Sequence, residues 1–167
     1  MKHFVVMGVA GCGKSTVATM LAQRVSANMI EADELHGSAN IEKMQQGDAL
    51  SDDDRWPWLT RVGTAMQLSG TPVLVSCSAL RRDYRQHLLE SARVPIGFIH
   101  LHTTQSVIAE RMANREGHFM PVSLLDSQYQ LLEPLQTDEV GVVVDIAQTI
   151  DRVVDEALVF IHSSMLD

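Results

Sequence analysis

Short apolar runs alternate with stretches of helical periodicity along the chain. Residues 3–8 (HFVVMG) are one such run, continuous rather than alternating, and predict a strand buried on both faces. Val17, Ala18, Leu21, Ala22 and Val25 then recur at helical spacing, which predicts a helix beginning near Lys14. Further strands are predicted at 28–33 (NMIEAD), 73–77 (VLVSC), 96–101 (IGFIHL) and 140–146 (VGVVVDI). Between the second and third lie a short polar helix over 38–46 and a longer one up to about Ser69. Ser38 is the candidate N-cap of the short helix and Gly47 its stop. Ser51 caps the longer one, with Asp52, Asp53 and Asp54 in the first turn, where the helix dipole favours acids. Gly70 and Pro72 end it. A helix over 80–92 carries Tyr84, Leu88 and Ala92 in register, and helices are also predicted over 104–115 and 122–133. Ile150, Val153, Val154, Ala157, Leu158 and Ile161 form one stripe of a last helix. Strands alternating with helices predict an α/β chain, three layers deep, with a five-stranded parallel sheet flanked by helices.

The link between the first strand and the first helix carries the strongest chemical signal. Gly8-Val9-Ala10-Gly11-Cys12-Gly13-Lys14-Ser15 fits G-x-x-x-x-G-K-[ST] without a mismatch. Glycines let the backbone turn so that its N–H groups approach phosphate oxygens closely. The helix starting at Lys14 points its N-terminus at the same anion. Lys14 reaches the β and γ phosphates of a nucleotide, the Ser15 hydroxyl can ligate Mg²⁺, and Thr16 follows on the first turn. The expectation is therefore the P-loop NTPase fold, binding ATP and Mg²⁺. The motif alone does not name the reaction.

Glu31-Ala32-Asp33 lies at the end of the second strand, the edge where ligands gather in open α/β sheets. Asp33 is the leading carboxylate, either as the base that takes an acceptor's proton or as a magnesium-side group, and both roles stay open. Glu31 ranks lower because it lies further from the strand end. The third strand reads VLVSCS and offers no acid of its own.

Bulk properties narrow the partners. A length of 167 residues suits one domain spanning 1–167, and 46% hydrophobic with 20% charged residues is a globular composition. The apolar runs fall far short of the ~20 residues of a membrane span. The first run is too brief for a signal peptide and leads straight into the glycine loop. A net charge of −8 argues against broad nucleic-acid binding. Cys12 and Cys77 have no metal-ligand spacing and suit reduced thiols in a cytoplasmic protein.

The phosphate loop is followed in order by ADELH at 32–36, NIEKM at 40–44, DDDRWPWL at 52–59, SCSALRRDYR at 76–85 and REGHFMP at 115–121. Together, over about residues 4–146, they resemble the bacterial gluconokinases, short P-loop kinases that phosphorylate D-gluconate at its 6-hydroxyl. The resemblance implies a fold similar to shikimate and adenylate kinases, a mobile lid over about 111–122, substrate-side helices over about 36–69, and a homodimer.

A sugar acid presents a carboxylate and a row of hydroxyls, so its site needs cations and hydrogen-bonding side chains. His36, Asn40, Lys43, Arg55, Ser78 and Arg81 supply those types after the second and third strands. Which cation would hold the carboxylate stays open, and a solvated helix face is the alternative for Lys43 and Arg55. Arg111 and Arg115 are four apart on a predicted helix and share a face. They lead into a glycine-containing loop carrying His118, a further substrate-side candidate, and could neutralise transferring phosphate. Trp56 and Trp58 read as packing, and His100 and His102 as structural strand residues. Two other functions compete with gluconate phosphorylation: phosphorylation of another small hydroxy acid or of a nucleoside monophosphate, and nucleotide sensing without transfer.

Overall fold

Every residue of β1 (His3–Met7) is buried, as a central strand covered by helices on both faces requires. The computed structural model describes residues 2–113 and 122–166. Its elements run β1, α1 (Lys14–Arg24), β2 (Asn28–Glu31), a 3-10 turn (Ala32–Leu35), α2 (Ser38–Gln45), α3 (Asp52–Leu68), β3 (Val73–Ser76), α4 (Arg82–Ala92), β4 (Ile96–His102), α5 (Gln105–Ala113), α6 (Val122–Leu131), β5 (Gly141–Asp145) and α7 (Ile150–Leu166). The strands form one sheet in the order β2-β3-β1-β4-β5, and all four pairings are parallel. The predicted architecture is the observed one.

The pleat sends alternate residues of β1 to opposite faces. Phe4 and Val6 join Leu74, Ile99, Leu101 and Val144 beneath α1 and α7. Val5 and Met7 join Val73, Val75, Ile96 and Phe98 beneath α3 and α4. In the second layer α3 and α4 approach closely, because Gly63 has no side chain. A Cβ there would lie 2.6 Å from the Ser91 side chain and 2.8 Å from the Ala92 nitrogen.

Several element ends differ from the sequence expectation. The second strand stops at Glu31, not Asp33, because Trp58 of α3 donates its indole N–H to the Ala32 carbonyl at 2.7 Å and holds the chain in a 3-10 turn. Helix α2 takes Gly37 as N-cap, and Ser38 is its first helical residue. The Arg61 guanidinium lies against Gly37, 3.3 Å from where a Cβ would stand. Ser51 does cap α3, in a reciprocal capping box with Asp54. Helix α4 begins at Arg82 and not at 80, since Ala79 is left-handed (φ 42°) and Arg81 is extended.

Arg85 of α4 explains how that left-handed residue is held. Its guanidinium is fully buried and paired with both carboxylate oxygens of Glu139, at 2.6 and 2.9 Å. It also donates to the carbonyls of Ala79 and Leu80 at 3.2 Å, Glu133 at 3.1 Å and Pro134 at 3.3 Å. The exit of β3 is thereby fastened to the segment leading into β5.

His100 on β4 is buried, and among the described residues neither ring nitrogen has a hydrogen-bond partner. Burial, with repulsion from His102 and Arg85, lowers its pKa to about 4. In the unfolded chain it returns to ~6.5, so as pH falls the unfolded state takes up the proton first. Stability is unaffected above about pH 6.5 and declines by ~1.4 kcal/mol per pH unit between ~6.5 and ~4 from this group alone. Urea melts at pH 7 and pH 5 should show a loss that His100→Phe reduces by roughly 2 kcal/mol. An equal loss in both proteins would place the acid sensitivity elsewhere.

Candidate active site

The carboxyl ends of β1, β2 and β3 meet at one edge of the sheet, and the glycine loop bridges them to α1. Gly8 (φ 145°) leaves β1 where a Cβ would collide with the Leu101 carbonyl at 2.7 Å and the Cys12 sulfur at 2.8 Å. Its N–H donates to the Ser78 carbonyl at 3.2 Å, tying the loop to the end of β3. Gly13 (φ 92°) forms the N-cap of α1. Lys14 extends back over the loop and donates from Nζ to the Val9 carbonyl at 3.0 Å. The N-terminus of α1 and the Lys14 ammonium thus stand together at the loop, which is the make-up of an anion cradle.

Ser15 Oγ donates to the Glu31 carboxylate at 2.5 Å and lies 3.2 Å from Ser76 Oγ. Glu31 is the last residue of β2 and pairs in register with Ser76 of β3. The carboxylate beside Ser15 is thus Glu31. The expectation that Asp33 serves as the magnesium-side partner of Ser15 finds no such contact. Asp33 stands on the 3-10 turn, its side chain 80% exposed and 3.9 Å from His36 Nε2. Hydroxyl and carboxylate oxygens around Ser15 suit a hard divalent cation, so the donor set fits Mg²⁺.

On the far side of the loop lies a cavity of about 440 Å³, the size of a small-ligand site. Gly11, Cys12, Gly13 and Thr16 form one wall, and Arg111, Ile146, Gln148 and Ile150 the other. Arg111 donates to the Ile146 carbonyl. Cys12 is buried, and burial pushes its thiol pKa up. Arg115 and His118, with most of the expected lid, lie outside the described residues.

The residues expected on the substrate side sit on or beside α2, α3 and α4. His36 stacks on Trp58, centroids 4.3 Å apart, and burial lowers its pKa. Buried Asn40 donates to the Asp54 carbonyl at 2.9 Å and lies 3.2 Å from His36 Nδ1. The three expected cations all have acidic partners already. Lys43 meets both Asp54 oxygens at 2.8–2.9 Å, and its bond with the help of Ser51 lowers the Asp54 pKa to about 2. Arg81 donates to Asp52 at 2.7 Å and Asp83 at 2.9 Å. Arg55 donates from a single nitrogen, Nη1, to Asp52 at 3.2 Å and Tyr84 Oη at 3.1 Å. The Tyr84 hydroxyl donates to Asp52 at 2.5 Å, and that bond, with Arg81, holds the Asp52 pKa below its ordinary value. Half-buried Ser78 sits at the β3 exit.

Sequence reasoning missed Asp52 and Tyr84 as the acceptor and donor that organise these arginines, and Gln148 and Ile150 as cavity walls. It also passed over Arg85. The signal was there, since Arg85 falls within the buried stripe of Tyr84, Leu88 and Ala92, and a charge in such a stripe demands a buried partner.

Comparisons with known proteins agree with this geometry. Residues 4–135 match the AAA domain family. A gluconokinase from Gluconobacter oxydans (strain 621H) is 45% identical over 141 residues, covering 83% of this chain and 79% of that protein. The crystal structure of a gluconokinase from Sinorhizobium meliloti 1021 superposes with a TM-score of 0.89 at 48% identity, covering 96% of this chain and 91% of that one. Shikimate kinase from Aquifex aeolicus, 14% identical with a TM-score of 0.61, covering 98% of this chain and 98% of that one, shares the fold. A complete phosphate loop on a sheet of this order, and relatives at this identity over most of both chains, show that the chain belongs to the gluconokinase family of P-loop kinases.

Proposed function

We propose that this protein transfers the γ-phosphoryl group of ATP to the 6-hydroxyl of D-gluconate, giving 6-phospho-D-gluconate and ADP. The observation that carries the reading is the placement of Asp33. It is an exposed carboxylate two residues beyond Glu31, the partner of Ser15, and it lies 3.9 Å from His36, which in turn meets Asn40. The names of the relatives supply the choice of gluconate.

The cavity beside Gly11 and Thr16 takes the nucleoside, with the Gln148 carboxamide available to a base edge. Loop amides and Lys14 hold the β and γ phosphates. Ser15 and Glu31 would hold Mg²⁺, which when bound neutralises charge on the phosphate oxygens. Asp33 accepts the proton of the 6-hydroxyl as its oxygen bonds to the γ phosphorus, and the bond to the β-γ bridging oxygen breaks to release ADP. Arg111, which lines the same cavity and donates to the Ile146 carbonyl, is the cation available to the polyphosphate.

Arg55 is the best candidate for the gluconate carboxylate. Among the described residues its Nε and Nη2 keep their donors free, whereas Lys43 is spent on Asp54 and Arg81 is shared between Asp52 and Asp83. His36, Asn40 and Ser78 are the hydrogen-bonding side chains proposed for the sugar hydroxyls. Free, buried Cys12 and Cys77 suit a reducing compartment such as the cytoplasm. The charge of −8 disfavours nucleic acid as a partner. No described helix is long and apolar enough to cross a membrane. The homodimer rests on the family resemblance alone.

Two measurements test this reading. Asp33→Asn should lower kcat by roughly 100-fold or more with little change in ATP affinity, while Glu31→Gln should raise the magnesium concentration needed for half-maximal rate. The reverse pattern would exchange the two roles. In a coupled ADP-release assay, gluconate should exceed glucose by about tenfold to a hundredfold, the effect of one charge-assisted contact. Shikimate or AMP as the better acceptor would overturn the substrate and leave the kinase standing.

A further inference from the structure

The peptide unit joining Val9 to Ala10, at the apex of the phosphate loop, is gripped at both ends. Its carbonyl accepts from Lys14 Nζ at 3.0 Å. Its N–H donates to the side-chain oxygen of Gln128 on α6 at 2.6 Å. No peptide bond among the described residues is cis, and in a trans peptide the C=O and N–H point to opposite sides. Gln128 therefore stands across the loop from Lys14. By holding the N–H outward it keeps the carbonyl turned inward, toward the ammonium.

Helix α6 is a firm base for such a grip. Leu125 is buried in the core, the Tyr129 hydroxyl donates to the Thr103 carbonyl at 3.0 Å, and the Glu133 N–H just beyond the helix donates to the Leu80 carbonyl at 2.8 Å. A glycine-rich loop has few side chains of its own to set its peptide planes. An external acceptor is the simplest device for choosing one orientation, and Gln128 is 118 residues away in sequence from the peptide it orients.

From this geometry we propose that Gln128 is a positioning residue for Lys14: its carboxamide oxygen fixes the Val9–Ala10 peptide so that the Val9 carbonyl holds the Lys14 ammonium at the phosphate site. The inference rests on the phosphotransferase reading only in giving Lys14 a polyphosphate to bind. Gln128 need not touch the substrate.

The test pairs a local readout with a double-mutant cycle. Gln128→Leu removes the acceptor at similar volume, and Gln128→Met is the second variant should the first fail to fold, as judged by thermal melting. Amide hydrogen exchange followed by NMR should show the Ala10 N–H exchanging about tenfold faster or more in the variant. MgATP affinity by calorimetry should weaken by about 2- to 10-fold, the range of one hydrogen bond. In a Lys14→Ala background the same substitution should change affinity by less than about 2-fold, because its effect runs through the missing lysine. Unchanged Ala10 exchange, or an equal loss of affinity in both backgrounds, would overturn the proposal. Neither readout uses an acceptor, so a failure of the gluconate assignment leaves this result interpretable.

Discussion

Arg85 is a charge with no access to water, and the groups that satisfy it hold the ligand-facing edge of the sheet in shape. An unpaired guanidinium could not be buried there, so Glu139 and four backbone carbonyls have to stay where they are. Two of those carbonyls, of Ala79 and Leu80, lie between Ser78, whose own carbonyl receives the Gly8 N–H, and Arg81, whose guanidinium meets Asp52. The others, of Glu133 and Pro134, follow α6, the helix that carries Gln128. One buried ion pair thus links the phosphate loop, the substrate-side arginines and the helix behind the loop. Removing either partner of such a pair costs about 3–5 kcal/mol, and the loss would fall on the site as well as on the fold.

Acids outnumber bases in this chain, and the substrate side shows how an anionic substrate can still be met. Asp52 and Asp54 neutralise Arg81, Arg55 and Lys43, and the same bonds orient them. Cations held by fixed partners need little rearrangement when charge develops nearby. Among the described residues, Arg55 retains donors that a carboxylate can take without displacing Asp52. The phosphate loop needs no surplus of positive residues either, because its backbone amides, one lysine and a helix terminus supply the field locally.

The fold was legible because its strands are continuous apolar runs set between amphipathic helices, a pattern that local sequence carries in full. Element ends were less so. Whether 32–35 continues β2 or turns away is decided by the indole of Trp58, which lies 26 residues from Ala32. The phosphate loop was legible to the residue, since its motif is contiguous. The ranking of Asp33 over Glu31 beside Ser15 was not, because it assumed two further strand residues. Pairings such as Lys43 with Asp54 or Arg81 with Asp52 join residues 11 and 29 positions apart, and only packing selects them among the other acids. The cavity wall at Gln148 and Ile150 comes from the opposite end of the chain to the loop it faces.

The central claim is that the Asp33 side of the phosphate loop presents the 6-hydroxyl of gluconate to the γ phosphate. Phosphorus NMR of the reaction with ATP, magnesium and D-gluconate tests it most directly. The account predicts one new phosphomonoester resonance, coupled to the two protons on C6, growing in step with ADP. A resonance coupled to a proton at any other carbon, or inorganic phosphate in its place, would contradict it.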